Sequence, residues 1–381
     1  MKMLEKLSKP IAAMACAASL ALLAGCTGGP AQPEKERPIA RGPVFYPPLP
    51  NAPRIQYLTT IASERDLAPE HDGFADFIVG EDKGGQKLSQ PYGVALHDHK
   101  VYVADTGAGN IAVFDLTKRS LSYMPGPGGG RLKRPINIRI DADGTKYVTD
   151  TGREQVLVYD AADRFLRAYG AVGEYRPVDV AIVGERLYVT DIAHHQVHAL
   201  DKRTGRTLFS FGKAGSGEGE LFHPTSIALG PDGDLYVVET SNYRVQRFTP
   251  DGKAVRTYGE VGTSPGSFAR PKGIAFDRSG RMLVGDAAFQ NVQMFDKDGR
   301  LLMFFGEAES GGEGVNLPAG VSVAYDGIAD FRRFADPRFE LEYVILVASQ
   351  FGPNKVDVFG FGKMKGMDYS IDGQSGARSA S

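Results

Sequence analysis

Five acidic residues recur along the chain at intervals in the forties: Asp105, Asp150, Asp191, Glu239 and Asp286. Each closes a β-prone run such as Val101-Tyr102-Val103-Ala104 or Leu235-Tyr236-Val237-Val238, and Ser349 stands in the sixth place. A second series is basic. Arg134, Arg176 and Arg270, with His223, each precede a proline, whereas Gln90 and Leu317 break the pattern. Carboxylates brought together in a ring would hold a cation, and guanidinium groups on one face would capture an anion in paired hydrogen bonds. The plainer alternative is that each acid caps its own loop and pairs with a nearby arginine, a structural motif repeated because the architecture repeats. The seven histidines supply the other chemistry. His194, His195 and His223, with Glu239 or Asp191 nearby, are the residue types that bind zinc or another divalent ion. His71, His97 and His99 lie elsewhere. No nucleophile-elbow, phosphate-loop or HExxH motif is present.

What positions these residues is a repeat. Six segments open on a proline and run into a short β-prone stretch, at Pro91, Pro135, Pro177, Pro224, Pro271 and Pro318, with spacings of 44, 42, 47, 47 and 47 residues. A period in the forties with several strands per unit is the mark of propeller blades. The fourth unit divides most clearly. Strand A is predicted at Thr225–Leu229, B at Leu235–Glu239, C at Arg244–Phe248 and D at Ala254–Tyr258, with Pro231-Asp232-Gly233-Asp234 and Asp251-Gly252 as turns. Small residues near the start of strand A suit the crowding expected around an axis. The sixth unit carries an insertion, Ile328–Glu342, and lacks a convincing fourth strand. The run Arg54–Ile61, upstream of the first proline, is strand-like and is expected to complete that blade, closing the ring and removing a free edge. The fold class is therefore all-β: a six-bladed β-propeller closed by pairing an N-terminal strand with the C-terminal blade.

Composition agrees. Glycine is abundant (47 residues), tryptophan is absent, and hydrophobic and charged fractions of 42% and 24% suit a soluble globular chain. The net charge of −2 and the lack of a basic stripe give no footing for nucleic acid. Both cysteines, Cys16 and Cys26, lie in the first 26 residues, so the repeat region has no thiolate metal site and no disulfide.

The run Leu235-Tyr236-Val237-Val238-Glu239-Thr240-Ser241-Asn242-Tyr243-Arg244-Val245-Gln246-Arg247-Phe248 resembles an NHL repeat, as does Val101–Thr106 with Asn110–Phe114. The resemblance runs from about 54 to 362, clear in units one to five and weak in the sixth. It implies a propeller that serves as an interaction platform. A minority of such propellers resemble metal-dependent lyases or lactonases, which is the alternative reading of function.

The N-terminus carries Lys2, Lys6 and Lys9, then an apolar run of 13 residues, Ile11–Leu23, then Leu23-Ala24-Gly25-Cys26. The run is short for a membrane span and suits a signal-peptide core. The last four residues resemble the bacterial lipobox, which implies lipid on Cys26 and attachment to a membrane outside the cytoplasm; Thr27, in place of aspartate, points to the outer membrane where there is one. The expected organisation is a signal peptide at 1–25, a lipidated, proline-rich tether at 26–52, the propeller at 53–363 and a disordered tail at 364–381. The tether contains seven prolines between 27 and 52 and favours extended backbone. The expected partners are the membrane, through the lipid, and an envelope protein, with no cofactor; a divalent metal belongs to the alternative reading. Phe331, Arg332, Arg333, Phe334 and Phe339 in the insertion are the candidate interface, since aromatic and arginine side chains anchor interfaces; packing of the rings over the propeller edge is the competing account.

Overall fold

The computed structural model describes residues 42–67, 87–124, 130–307 and 314–369. The signal segment, Cys26, most of the tether and residues 370–381 lie outside them. Six sheets form the propeller, five of four strands and one of five. In each, strand A lies innermost and pairing proceeds outward through B, C and D. The fourth blade is Pro224–Leu229, Leu235–Glu239, Arg244–Phe248 and Ala254–Tyr258, as the sequence predicts to within a residue.

Burial explains why these segments are strands. The B and C strands are buried along nearly their whole length, as in Lys146–Asp150, Leu235–Glu239 and Asn291–Phe295. Both faces of a blade pack on neighbouring blades, so the side chains read as continuous apolar runs instead of a strict alternation. The D strands, on the rim, do alternate: Leu166, Leu208, Val255 and Leu302 are exposed. The core accordingly lies between blades, in six clusters. Tyr102, Val113, Val148 and Tyr159 join blades one and two; Phe114, Val94, Val344 and Val358 join blades one and six.

The ring closes as the sequence predicts. Ile55–Ile61 pairs with Val356–Met364 and supplies the outer strand of blade six. The closure reaches further than the sequence suggests. Phe45–Tyr46, inside the stretch read as tether, pairs with Gln56 and Ile55 as a fifth strand, and both rings are buried. Residues 364–369 also depart from the expected disordered tail. Met364 is buried, and Tyr369 donates its hydroxyl proton to the Pro53 carbonyl at 2.7 Å. The Arg54 guanidinium lies over the rings of Phe361 and Tyr369. The propeller therefore begins near residue 44 and ends near 369.

The insertion is part of the core. Its first half forms a short helix, Ile328–Phe331, and a 3-10 turn, Arg332–Phe334. Its second half extends strand B to Phe339–Ser349. Phe331 and Phe339 are only 2% and 3% exposed and pack in the cluster joining blades six and one. Phe334 packs against the same cluster. Of the candidate interface, then, Phe331 and Phe339 are structural, because alternate residues of the lengthened strand and one face of the helix must cover that seam. Arg332 and Arg333 remain exposed. Phe331→Ala will destabilise the propeller by about 3 kcal/mol through the cavity it leaves. Equilibrium urea unfolding checks this, and an unchanged midpoint would return Phe331 to the surface.

Candidate functional site

In every blade the register sets the strand A proline opposite the last residue of strand B: Pro91 with Asp105, Pro135 with Asp150, Pro177 with Asp191, Pro224 with Glu239, Pro271 with Asp286 and Pro318 with Ser349. Proline has no N–H to offer the ladder there, and a bulge follows it in all six pairs. The two loops that flank this point, D–A and B–C, meet on one face of the propeller.

The acids join those loops. Asp150 accepts hydrogen bonds from the backbone N–H groups of Lys133, Arg134, Gly152 and Arg153 at 2.7–2.9 Å. Asp286 does the same for Ala269, Arg270, Ala288 and Phe289, and Asp105 for Ser89, Gln90 and Ala108. Each of these carboxylates is buried. The cation-ring reading is therefore corrected: the oxygens are already taken. The arginine-pair reading is corrected as well, since the partners are mostly backbone amides. Among the described residues only Glu239 has an arginine, Arg244, at 2.6 Å. Arg134, Arg176 and Arg270 give their N–H groups to the acids and keep their side chains exposed. Arg176 makes a loose contact with Glu154 at 3.6 Å. The side chains of Arg134 and Arg270 make no hydrogen bond or ion pair among the described residues.

The histidines come close without converging. His194 Nδ1 lies 2.6 Å from Asp191, which also takes His198 Nε2 at 3.0 Å. Burial pushes the Asp191 carboxyl up, but the bonds from His198, the Arg176 N–H and His194 outweigh it and hold the group far below the usual carboxylate range. His195 Nδ1 accepts the N–H of His223 at 3.0 Å, so its proton sits on Nε2, and its ring stacks on Phe222 with centroids 4.8 Å apart. Burial, reinforced by His223, keeps His195 below the ordinary histidine range. His223 Nδ1 faces Ser241 at 2.9 Å. Glu239 is saturated by Phe222 N–H, Asn242, Arg244 and Gln246. The proposed metal set of His194, His195, His223 and Glu239 thus does not assemble, and among the described residues no group of three or more histidine, cysteine or acidic side chains is placed to hold a metal.

Sequence reasoning missed the axis. Strand A, innermost in each blade, brings residues of neighbouring blades together there. Arg139 forks onto Asp179 with bonds of 3.0 and 2.7 Å, and Asp179 also receives Ser226 Oγ at 2.6 Å and the N–H groups of Val180 and Ile227. One carboxylate thereby links three blades. Lys272, directly after the fifth proline, is buried beside Gln350 and Tyr92. The axis is tight: a Cβ on Gly273 would collide with the Ala319 carbonyl, and one on Gly320 with that of Tyr92. The signal for Lys272 was present. Its counterparts are Tyr92, Ile136, Val178, Thr225 and Ala319, so it is the only charge at that position. At the opposite end of the axis a funnel of about 270 Å³ is lined by Ile140, Ile182, Leu229, Phe276 and Val323, with Arg139 and Ser322 among them.

The NHL repeat model matches residues 223–248, the start of blade four through its third strand. A protein of Arabidopsis thaliana, Protein SUPPRESSOR OF QUENCHING 1, chloroplastic, is 23% identical over 215 residues, which take in 44% of this chain and 20% of that protein. The chain thus spans about a fifth of that relative's length. Among solved structures, a protein of unknown function from Bacteroides thetaiotaomicron superposes with a TM-score of 0.58 at 16% identity, covering 80% of this chain and 75% of that one. A gluconolactonase from Xanthomonas campestris gives 0.56 at 15%, with 85% and 96% covered. A streptogramin B lyase gives 0.51 at 16%, with 72% and 83% covered. At such identities the likeness establishes the propeller fold alone. The chain carries an NHL repeat in a six-bladed propeller.

Proposed function

We propose that this protein is a lipid-anchored binding module outside the cytoplasm, and that its D–A and B–C loop face receives a protein partner in the cell envelope. The observation that carries the reading is the composition of that face. The repeated acids are spent holding the loops, while Arg134, Arg176 and Arg270 are left exposed. Val172, Phe222, Tyr243, Val261 and Phe351 stand exposed on the same loops, Val172 at 86%. Apolar side chains interspersed with arginines are the make-up of a recognition surface. Stapled loops keep that surface ordered before binding, which lowers the entropic cost of association. The lipobox-like Leu23–Cys26 supports the anchor, and two or more acyl chains hold a protein stably where one does not.

Two variants test the halves separately. Cys26→Ser will move the protein from the membrane fraction to the soluble fraction, and persistence in the membrane would overturn the anchor. Arg134→Glu with Arg176→Glu will remove partner bands after crosslinking in intact cells without changing the melting temperature. Unchanged crosslinks would move the binding surface off this face.

A further inference from the structure

Among the described residues the propeller buries two lysines, and it treats them differently. Lys146 has its charge met inside the protein. Its ammonium lies 2.7 Å from Asp163 and donates to the carbonyls of Gly144, Asp160 and Ala161 at 3.1–3.2 Å. Lys272 is 7% exposed, and its one hydrogen-bond partner among the described residues is the Gln350 side-chain oxygen. The ammonium also sits 5.4 Å from the centre of the Tyr92 ring. An ammonium has three donors, so two remain unmet among the described residues.

Among the described residues no carboxylate pairs with it. Asp286, in its own blade, is saturated by four backbone N–H groups. Asp179 is engaged by Arg139, Ser226 and two amides. In blade six, which follows, Ser349 replaces the acid and Gln350 comes next. Further positive charge stands at the rim. Arg270, two residues away, is exposed and unpaired among the described residues, and burial together with its repulsion pushes the Lys272 ammonium down to about 8. Isolated buried charge is costly until a counter-ion arrives.

We propose that the axial mouth of the loop face is an oxyanion-binding site, in which Lys272, with Gln350 beside it and Arg270 at the rim, takes the carboxylate or phosphate group of a small ligand. The occupant enters by its head group only, because strand A of blade five packs closely on that of blade six at Gly273, and blade six on blade one at Gly320. Arginine forks suit either oxyanion. The inference rests on reading the loop face as the binding face.

The test titrates the full chain with succinate and with inorganic phosphate by calorimetry, below about pH 7 so that the lysine stays charged, against sodium chloride at equal ionic strength. Saturable binding of one anion per chain is expected. Succinate alone identifies a carboxylate ligand, phosphate alone a phosphate, and both a general oxyanion site. Lys272→Met will weaken binding by about tenfold or more, and Arg270→Ala by a smaller factor. A lysine-selective carbon NMR titration of the unaltered protein gives a second readout, since the bound anion must raise the titration midpoint of Lys272. Binding no better than chloride, equal binding by Lys272→Met, or an unmoved midpoint would each overturn the site. None of these results touches the crosslinking outcome above, so the two readings fall separately.

Discussion

Asp150→Ala will lower the stability of the propeller by about 4 kcal/mol, an effect expected of Asp286→Ala as well. The carboxylate is fully buried and holds four backbone N–H groups, two from the D–A loop and two from the B–C loop. Truncation leaves those donors facing a small apolar void. Hydrogen bonds to a charged acceptor contribute more than neutral ones, and an unmet buried donor costs about 1–3 kcal/mol. Water entering from the exposed side recovers part of the loss, so the sum is less than four full penalties. Asp150→Asn keeps one acceptor oxygen and will cost roughly half as much. Ser349→Ala is the internal comparison, because Ser349 holds only the Asn316 N–H and a bond to Asp357; its cost should be about 1 kcal/mol. Urea midpoints of the three variants decide the matter. A small loss in Asp150→Ala, equal to that of Ser349→Ala, would show that the loops hold themselves without the acid.

Blade six should make the stability of the whole protein depend on pH in an unusual direction. Its strand B ends in Ser349, and the carboxylate appears one strand further out, at Asp357. That group is buried, bonded to Ser349 Oγ at 3.0 Å and to the Tyr57 hydroxyl at 3.5 Å, and no cation contacts it among the described residues. Burial, opposed in part by the side-chain bonds of Ser349, Thr60, Asn354 and Tyr57, pushes its carboxyl up to about 7. An unfolded aspartate titrates near 4. Between those values the folded chain keeps a proton that the unfolded chain has released. Stability from this group is therefore fully present below about pH 4, falls as pH rises, and is lowest above about pH 7, a span on the order of 4 kcal/mol. Asp357→Asn removes the titration and retains an acceptor for Ser349. The variant and the parent will have similar stability near pH 4, and the variant will be the more stable at pH 8. Urea unfolding across that range checks the sign. Parallel curves would mean that Asp357 is solvated or neutralised in the folded state.

Much of this molecule was legible because repetition averages out local ambiguity. Six prolines at a period in the forties announced the blades, and the turn residues of blade four bounded its strands B, C and D at the residues where they are found. The pairing of Arg54–Ile61 with the last blade followed from counting strands. The errors lie where the repeat breaks. Nothing in Phe331 or Phe339 marks them as core, because the seam they fill exists only after blade one closes on blade six. Phe45–Tyr46 looked like tether among prolines, and it forms an edge strand where missing N–H groups cost little.

The recurring acids could be found in the sequence, but their role could not. An acid that rings an ion and an acid that caps a loop have the same spacing, and only the pointing of N–H groups from two separate loops tells them apart. The same holds for His194, His195 and His223. Adjacent in the chain or on neighbouring blades, they turn to Asp191, Phe222 and Ser241 and share no centre. Local chemistry, written every forty-odd residues, determined the architecture by itself, because strands, turns and bulges depend on near neighbours. The tertiary structure decided which charges were spent and which were left over, because that depends on partners brought together from different blades: Arg139 with Asp179, and Lys272 with Gln350 and, among the described residues, no acid.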